Sequence, residues 1–145
     1  MPLTQSDKVE VRRVRGKGRG VFARRPIRAG EVIETCPVLV LPAGSAEDLP
    51  AGIGGYVFEW GRGRLALALG YGSLYNHSYR PNARYEDLAG RTKVFTAIRD
   101  IAAGEEITVN YNGAAGDGTP VGFEVVERPN APRMSRSADG SSDRR

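Results

Sequence analysis

Hydrophobic residues in this chain come in short runs separated by turn-forming residues. Nineteen Gly and nine Pro divide the runs, a spacing that is typical of a fold built from many short strands. No segment sustains the 3.6-residue apolar period of a long helix. The pattern therefore predicts a mainly β fold, a β-rich α+β domain. The predicted strands fall within residues 9–14, 21–23, 32–36, 38–41, 56–60, 64–69, 83–86, 93–97 and 107–111.

One stretch of sequence occurs twice. The pattern Ala-x-Arg-x-Ile-x-Ala-Gly-Glu-x-Ile begins at Ala23 and begins again at Ala97. Its glycine supplies the positive φ that a tight turn needs. We therefore expect each copy to form a strand, an Ile-anchored turn and a second strand. Two copies are too few for a solenoid.

The 145 residues are enough for one domain with its own core. The single cysteine, Cys36, excludes an intrachain disulfide framework, and together with one histidine it supplies too few soft ligands for a typical transition-metal site. We therefore expect no metal. No run approaches the roughly 18 apolar residues of a membrane-spanning helix, and the first residues lack the apolar segment of a secretory signal. A soluble cytoplasmic protein without a membrane partner is expected.

Positive charge is concentrated at the N-terminal end. Residues 1–30 hold nine Lys and Arg against two acidic residues, while the whole chain carries a net charge of +4. Such a segment could attract nucleic acid or a small anionic ligand. A solvated basic hairpin explains the charge more simply, and no known nucleic-acid motif accompanies it. Direct nucleic-acid binding is therefore not expected.

Composition divides the chain into a folded part and a tail. From residue 127 onward Arg, Pro, Ser, Asp and Gly dominate, and such a segment cannot bury enough surface to offset the entropy lost on ordering. We predict one domain over residues 1–126 and a disordered tail over residues 127–145. The Gly-rich stretch 113–122 is expected to be flexible as well.

Three polar segments stand beside predicted strands. Residues 16–20 read Gly-Lys-Gly-Arg-Gly, residues 76–82 read Asn-His-Ser-Tyr-Arg-Pro-Asn, and residues 104–111 read Gly-Glu-Glu-Ile-Thr-Val-Asn-Tyr. Polar groups next to buried strands are costly unless they find partners, so these segments indicate a site. The Gly-rich turn is neither a dinucleotide motif nor a P-loop, because a strand-like segment follows it and no Gly-Lys-Ser/Thr is present. Lys17 and Arg19 of this turn could meet a carboxylate.

In their order and spacing the three segments resemble those of the SET-domain lysine methyltransferases. The resemblance covers roughly residues 9–112 and is greatest to the small SET-only enzymes of bacteria and large DNA viruses. It implies a SET fold of several short-stranded sheets, with a knot-like threading near the C-terminal end. Two positions depart from the common family pattern: Tyr79 stands where cysteine is frequent, and Asn110 stands where aspartate is frequent.

The resemblance also implies an activity, the S-adenosylmethionine-dependent transfer of a methyl group to a lysine amine of a protein substrate. Tyr111 is the implied catalytic residue, which lines the methyl-transfer site, and Tyr56 and Tyr71 are candidates for the wall of the substrate channel. The residues implied to bind the cofactor are Lys17, Gly18, Arg19, Gly20, Asn76, His77 and Tyr111.

Such a methyl transfer needs alignment and polar groups aimed at the methyl group, not a metal or a covalent enzyme intermediate. The sulfonium charge should lower the pKa of the substrate ammonium by like-charge repulsion, so a dedicated general base is not required. Two alternatives stay open: a catalytically silent SET-like module that binds peptide or chromatin, and a nucleic-acid binder driven by the basic end. The substrate protein, the number of methyl groups added and the oligomeric state, with a homodimer as one option, also stay open.

Overall fold

A computed structural model describes residues 2–122, 125 and 127. Within this part the helical elements are three short 3-10 turns, and no helix is long and apolar enough to cross a membrane. The predicted mainly β fold with short strands is confirmed. The predicted tail, apart from residue 127, lies outside the described residues. The strands are β1 (Val9–Val14), β2 (Gly18–Ala23), β3 (Val32–Leu41), β4 (Val57–Glu59), β5 (Leu65–Ala68), β6 (Asn76–His77), β7 (Ala83–Leu88), β8 (Thr92–Ala97) and β9 (Glu106–Val109).

The strands form two sheets. One has the order β1-β2-β9-β6, and the other has the order β4-β5-β3-β8-β7. Strand β6 pairs with β9 in parallel, so that Asn76 lies beside Thr108 and His77 lies beside Val109. This pairing brings the Asn-His segment against the strand that leads to Tyr111. Two of the three polar segments therefore meet at one edge of the first sheet.

The repeated sequence belongs to a larger structural repeat. Strands β1, β2 and β3 correspond to β7, β8 and β9, which lie 74 residues later in the chain. In the first hairpin Val9 pairs with Ala23, and in the second the corresponding residues Ala83 and Ala97 pair. The two hairpins keep the same register along their whole length.

The first copy (residues 8–36) and the second copy (residues 82–110) exchange their third strands. Strand β2 pairs with β9, and β8 pairs with β3. Where the copies meet, Ile27 and Ile101 form reciprocal backbone hydrogen bonds of 2.8 and 2.7 Å. Both isoleucines are almost completely buried. Neither copy can therefore make its sheet alone, because each needs the third strand of the other.

The two predicted turns are present, and each makes the equivalent hydrogen bond to the other copy. The Gly30 N–H donates to the Ala97 carbonyl, and the Gly104 N–H donates to the Ala23 carbonyl, both at 2.8 Å. Both glycines have φ of 86°, a backbone conformation that residues with a side chain seldom adopt. The repeated Gly is thus explained by the repeated turn.

The hydrophobic core lies where the two copies face each other. Val21, Phe95 and Ile107 are fully buried. Phe95 stacks on the ring of Tyr75 with 4.3 Å between ring centroids. The Tyr75 hydroxyl donates to Glu34 Oε1 at 2.8 Å, which satisfies both buried polar groups. Because Tyr75 directly precedes Asn76, the core fixes the start of the Asn-His segment.

Candidate functional site

The Gly-rich turn between β1 and β2 is held by side chains from the other two polar segments. The Asn76 amide nitrogen donates to the Arg19 carbonyl and to Glu106 Oε2, both at 2.8 Å. The Lys17 ammonium lies 3.2 Å from Glu106 Oε1. Gly20 permits this approach, because a Cβ there would lie 2.5 Å from Glu106 Oε2. The turn is thus fixed by Glu106, a residue that the sequence analysis did not single out.

His77 holds the backbone at the end of β9. Its Nδ1 accepts a hydrogen bond from the Tyr111 N–H at 2.9 Å, and its side chain is 3% exposed. Burial lowers the pKa of His77 below its ordinary value, and the nearby Glu127 carboxylate opposes this shift only in part. The bond needs the neutral imidazole, because a protonated Nδ1 would place a donor against the Tyr111 N–H. His77 is therefore a positioning residue for Tyr111.

Tyr111 is anchored through its hydroxyl and through its backbone. Its hydroxyl donates to the Tyr75 carbonyl at 2.7 Å, and its carbonyl accepts a hydrogen bond from the Tyr85 hydroxyl at 3.3 Å. Burial raises the pKa of Tyr111 to about 12, and the Glu106 carboxylate acts in the same direction. The phenol is therefore neutral at physiological pH and serves as a hydrogen-bond donor.

Two cavities meet at Tyr111. The small cavity, of about 310 Å³, is lined in part by the Gly-rich turn and Asn76. The large cavity, of about 520 Å³, is lined mainly by aromatic rings and carboxylates. A small molecule in one cavity and a side chain in the other could meet beside the residues that both share. The described residues that line both cavities are Gly55, Tyr56, Ser73 and Tyr111.

Comparison with known proteins decides the family. The SET domain model matches residues 18–112. The chain belongs to the SET-domain family. A curated relative from Schizosaccharomyces pombe, a histone-lysine N-methyltransferase specific for H3 lysine-37, is 35% identical over 114 residues, which are 77% of each chain. The predicted family and the predicted enzyme class, protein-lysine methyltransferase, are confirmed.

A solved structure gives the same family. It is the crystal structure of a Plasmodium falciparum protein described as a candidate histone methyltransferase. The TM-score is 0.61 at 30% identity, and the match covers 75% of this chain and 95% of that chain. The predicted SET fold is thus confirmed in three dimensions.

The SET domain brings most of the predicted cofactor residues to one cavity. Gly20 and His77 are not among the described residues that line it. Gly20 lies beneath the Asn76 amide, and the His77 ring is bound to the Tyr111 N–H. The predicted residues that do line the small cavity are Lys17, Gly18, Arg19, Asn76 and Tyr111.

The two tyrosines predicted for the substrate channel lie in different places. Tyr56 lines both cavities. Tyr71 packs against the hydrophobic core, its N–H donates to Glu34 Oε2 at 2.9 Å, and it is not among the described residues that line either cavity. The large cavity is lined instead by Phe58 and Tyr85, whose rings meet edge to face with 5.0 Å between centroids. The sequence analysis did not select either ring for the channel.

The residues that line the small cavity suit the amino-acid end of the S-adenosylmethionine that the family implies. Its Gly-rich edge presents backbone without side chains, which a ligand can approach closely. Arg19 lines this edge and, within the described part of the chain, makes no ion pair, so its guanidinium can meet a carboxylate. Lys17 is instead paired with Glu106. The donor set thus suits the amino-acid end of such a molecule.

Proposed function

We propose that this SET domain transfers a methyl group from S-adenosylmethionine to the side-chain amine of a lysine in a basic protein. The observation that carries the proposal is the position of Tyr111 at the junction of the two cavities. One cavity has a Gly-rich edge with a cationic side chain, and the other has aromatic walls. Donor and acceptor can therefore enter separately and meet at one residue.

The small cavity supports the cofactor half of the proposal. Arg19 suits the carboxylate of the amino-acid end. Asn76 and Glu106 keep the Gly-rich turn in the position that presents Arg19. When bound there, S-adenosylmethionine would supply a methyl group made electrophilic by a positively charged sulfur. The contribution of the protein on this side is binding and alignment.

The large cavity supports the lysine half. The rings of Phe58 and Tyr85 can pack along the methylene chain of a lysine, whose ammonium end remains polar. Three exposed acidic residues, Glu59, Glu86 and Asp87, also line this cavity. Glu86 is paired with Arg84, and Asp87 is paired with Lys93. Such carboxylates attract a cationic side chain and its basic neighbours. A lysine within a basic segment therefore fits this cavity better than an acidic or neutral peptide does.

Tyr111 aligns the two halves without acting as a base. Its phenol is neutral and donates to the Tyr75 carbonyl, so the proton of the substrate ammonium leaves to water. The neutral acceptor nitrogen would use its lone pair for the new N–C bond, and a cofactor held beside Arg19 and Asn76 would supply the methyl group and retain the electrons of the C–S bond on its sulfur. The Tyr75 carbonyl, which Tyr111 holds beside the junction, suits the partial positive charge on the methyl group.

The same cavity and one relative support a substrate class. The Schizosaccharomyces pombe relative is specific for H3 lysine-37. We propose histone H3 as the first protein to test, since its class matches both that relative and the acidic cavity lining. A cytoplasmic location remains a separate proposal from the sequence.

The test is transfer of a labelled methyl group to histone H3, with an acidic protein as the substrate control. Tyr111→Phe is expected to lower kcat about 100-fold, while the affinity for S-adenosylmethionine measured by calorimetry changes much less. Tyr71→Phe is the matched control, because it removes a hydroxyl outside both cavities and should leave kcat within about twofold.

Two outcomes would contradict the proposal. The first is a wild-type protein that does not bind the cofactor. The second is a rate that Tyr111→Phe does not change. Cofactor and peptide binding without transfer would instead support the silent peptide-binding module.

A further inference from the structure

A lysine of the protein itself lies in the wall of the large cavity. Lys93 lies on β8 and is 2% exposed, and its ammonium is paired with the Asp87 carboxylate on β7. The ammonium also lies over three aromatic rings, at 4.2 Å from the centroid of Phe58, 4.5 Å from Tyr85 and 5.6 Å from Trp60. Carboxylate and rings together stabilise a buried positive charge.

Lys93 is the one cationic residue among the described residues that line the large cavity. It sits at the buried end of its ion pair, whereas the Asp87 side chain is 41% exposed. Tyr85 links this charge to the junction, because its ring contacts the ammonium and its hydroxyl donates to the Tyr111 carbonyl. The cavity therefore has carboxylates toward solvent and a positive charge in its wall.

A buried charge at this place needs an explanation beyond stability. Replacing a buried ion pair with apolar residues of similar volume is often neutral or stabilising. The rings of Phe58, Trp60 and Tyr85 offer apolar contacts that do not themselves require a charged side chain. The charge of Lys93 can therefore have a role toward a ligand that enters the cavity.

The structural repeat points to the same conclusion. Lys93 corresponds to Arg19 of the first copy, and their cross-strand neighbours Asp87 and Arg13 correspond as well. Arg19 lines the small cavity, and Lys93 lines the large cavity. Each copy thus delivers one basic side chain to one cavity. Only in the second copy is that charge moderated by an opposite charge on the neighbouring strand.

We propose that the Lys93 ammonium favours the neutral form of the acceptor lysine inside the large cavity. The inference rests on the proposed function, since the acceptor nitrogen can attack only after it has lost its proton. A positive charge in the wall disfavours a second ammonium nearby, while the outer carboxylates attract the charged lysine from solvent. The outer carboxylates thus attract the lysine ammonium, and Lys93 favours the loss of its proton, which leaves a nucleophilic amine.

Other charged and titratable groups also act on this part of the cavity. Three of them lie on β7, three lie on β4 and β3, and the remaining three are tyrosines outside the strands. Asp87 moderates Lys93 most directly because it is in contact with the ammonium. The groups are Asp87, Glu86, Tyr85, Glu59, Glu34, Cys36, Tyr56, Tyr75 and Tyr111.

The first test compares the pH dependence of kcat, which reports ionisations in the enzyme–substrate complex. Lys93→Met removes the charge and leaves Asp87 unpaired, so the acidic limb of the profile should move about one pH unit higher. Asp87→Asn leaves Lys93 without its counter-charge, so the limb should move lower. Lys93→Arg keeps the charge and should leave the limb in place. A merely structural role would lower kcat without moving the limb in opposite directions.

A second test needs neither cofactor nor turnover. Calorimetry compares a histone H3 peptide with the same peptide carrying norleucine in place of the acceptor lysine. Lys93→Met is expected to shift the affinity ratio about tenfold toward the lysine peptide, and Asp87→Asn should shift it the other way. Lys93→Gln is the second variant if Lys93→Met does not fold.

The outcomes separate the two proposals. A wild-type protein that transfers no methyl group would end the proposed function, yet the binding ratio would still decide the role of Lys93. Limbs that coincide in all variants, or an unchanged ratio in Lys93→Met and Lys93→Gln, would overturn the inference. Failure of every variant to bind either peptide would overturn it as well.

Discussion

The first and second copies of the repeat share a backbone but differ in chemistry. After the repeated Gly each copy has a glutamate, Glu31 or Glu105, whose carboxylate accepts a backbone hydrogen bond of 3.0 Å from three residues earlier. Each glutamate also contacts the residue that starts its copy: Lys8 lies 2.9 Å from Glu31, and Asn82 lies 3.3 Å from Glu105. The Glu31 side chain is 34% exposed, whereas that of Glu105 is 3% exposed.

The two copies thus have the same backbone contacts but differ in how deeply those contacts are buried. The first copy makes its contacts at the surface, while the second copy makes equivalent contacts in the interior. Asn82 also donates to the Glu106 carbonyl at 2.8 Å and accepts from the Thr108 N–H at 2.9 Å. These bonds fix β9, and β9 carries the chain to Tyr111. The buried contacts of the second copy therefore position the segment that leads to Tyr111.

The largest expected difference between the copies is at the residue that starts each one. Asn82→Ala would leave the Glu106 carbonyl and the Thr108 N–H without this partner in the core, so the free energy of unfolding should fall by about 3 kcal/mol. The equivalent change, Lys8→Ala, should cost a small fraction of that because Lys8 is partly exposed. Urea denaturation measures both. Equal losses would show that the second copy is not more tightly constrained than the first.

The two glutamates provide the next comparison. One carboxylate oxygen of Glu105 accepts hydrogen bonds from Asn82 and Arg99, and the other accepts one from the Ala102 N–H. In Glu105→Gln an NH2 group replaces one of these two oxygens. An amide cannot accept through its nitrogen, so a loss of about 2 kcal/mol in unfolding free energy is expected. Glu31→Gln is the matched variant, and its effect should be much smaller because solvent reaches the carboxylate. A thermal unfolding series in which Glu31→Gln loses as much as Glu105→Gln would refute this account of burial.

The third strands of the two copies also end differently, and the pH dependence of stability tests that difference. Strand β3 continues to Leu41, but β9 ends at Val109, and the His77 ring then takes the Tyr111 N–H. Because burial lowers the pKa of His77 in the folded state, the unfolded chain gains a proton first as the pH falls. The contribution of His77 to stability is therefore full above its ordinary pKa of 6.5 and is lost as the pH drops below it.

Melting temperatures at pH 8 and pH 5 measure this effect. His77 is the single histidine of the chain, so His77→Asn removes every histidine titration while keeping a side-chain acceptor. The wild type should lose more stability than His77→Asn on acidification. The same loss in both proteins would assign the pH dependence to carboxylates instead.

Short apolar runs and a repeated Gly were enough to predict most of the strands and the repeated turns. The strands predicted at 32–36 and 38–41 are one strand, β3, and β6 was not predicted. The residues around the Gly-rich turn were predicted from the resemblance of the three polar segments to a known family. Glu106 was missed because its partners, Lys17 and Asn76, are distant in sequence. One sign was available, since Glu106 occupies the position that Val32 holds in the first copy.

Other features depended on long-range packing. Tyr71 and Tyr85 both pack against the core, and only the folded structure shows that Tyr85 also lines the large cavity while Tyr71 lines neither cavity. The flexibility expected for the stretch 113–122 stays a prediction. The Asn110 and Asn112 side chains donate hydrogen bonds to its backbone carbonyls. Asn110 can donate in this way and the aspartate more frequent at that position cannot, so the departure from the family pattern has a physical reason.

The smallest expected effect concerns the paired basic residues of the first copy. Arg13 lies directly opposite Arg19 on the neighbouring strand, and both are exposed, whereas the equivalent pair in the second copy is Asp87 with Lys93. Like charges in this position destabilise a sheet, so Arg13→Gln should raise the free energy of unfolding by about 0.5 kcal/mol. The gain should shrink at high salt because the repulsion is screened.

Arg12→Gln is the control for this last change. Arg12 is a neighbouring arginine that is paired with Glu10 and lies over the ring of Phe22, so its removal should bring no gain. A gain for Arg13→Gln that persists in high salt would assign the effect to strand propensity rather than to charge. A gain confined to low salt would mean that the first copy keeps two arginines together against their repulsion. A carboxylate bound beside Arg19 in the small cavity would stabilise such a pair, so binding of the proposed cofactor through its carboxylate should reduce the advantage of Arg13→Gln.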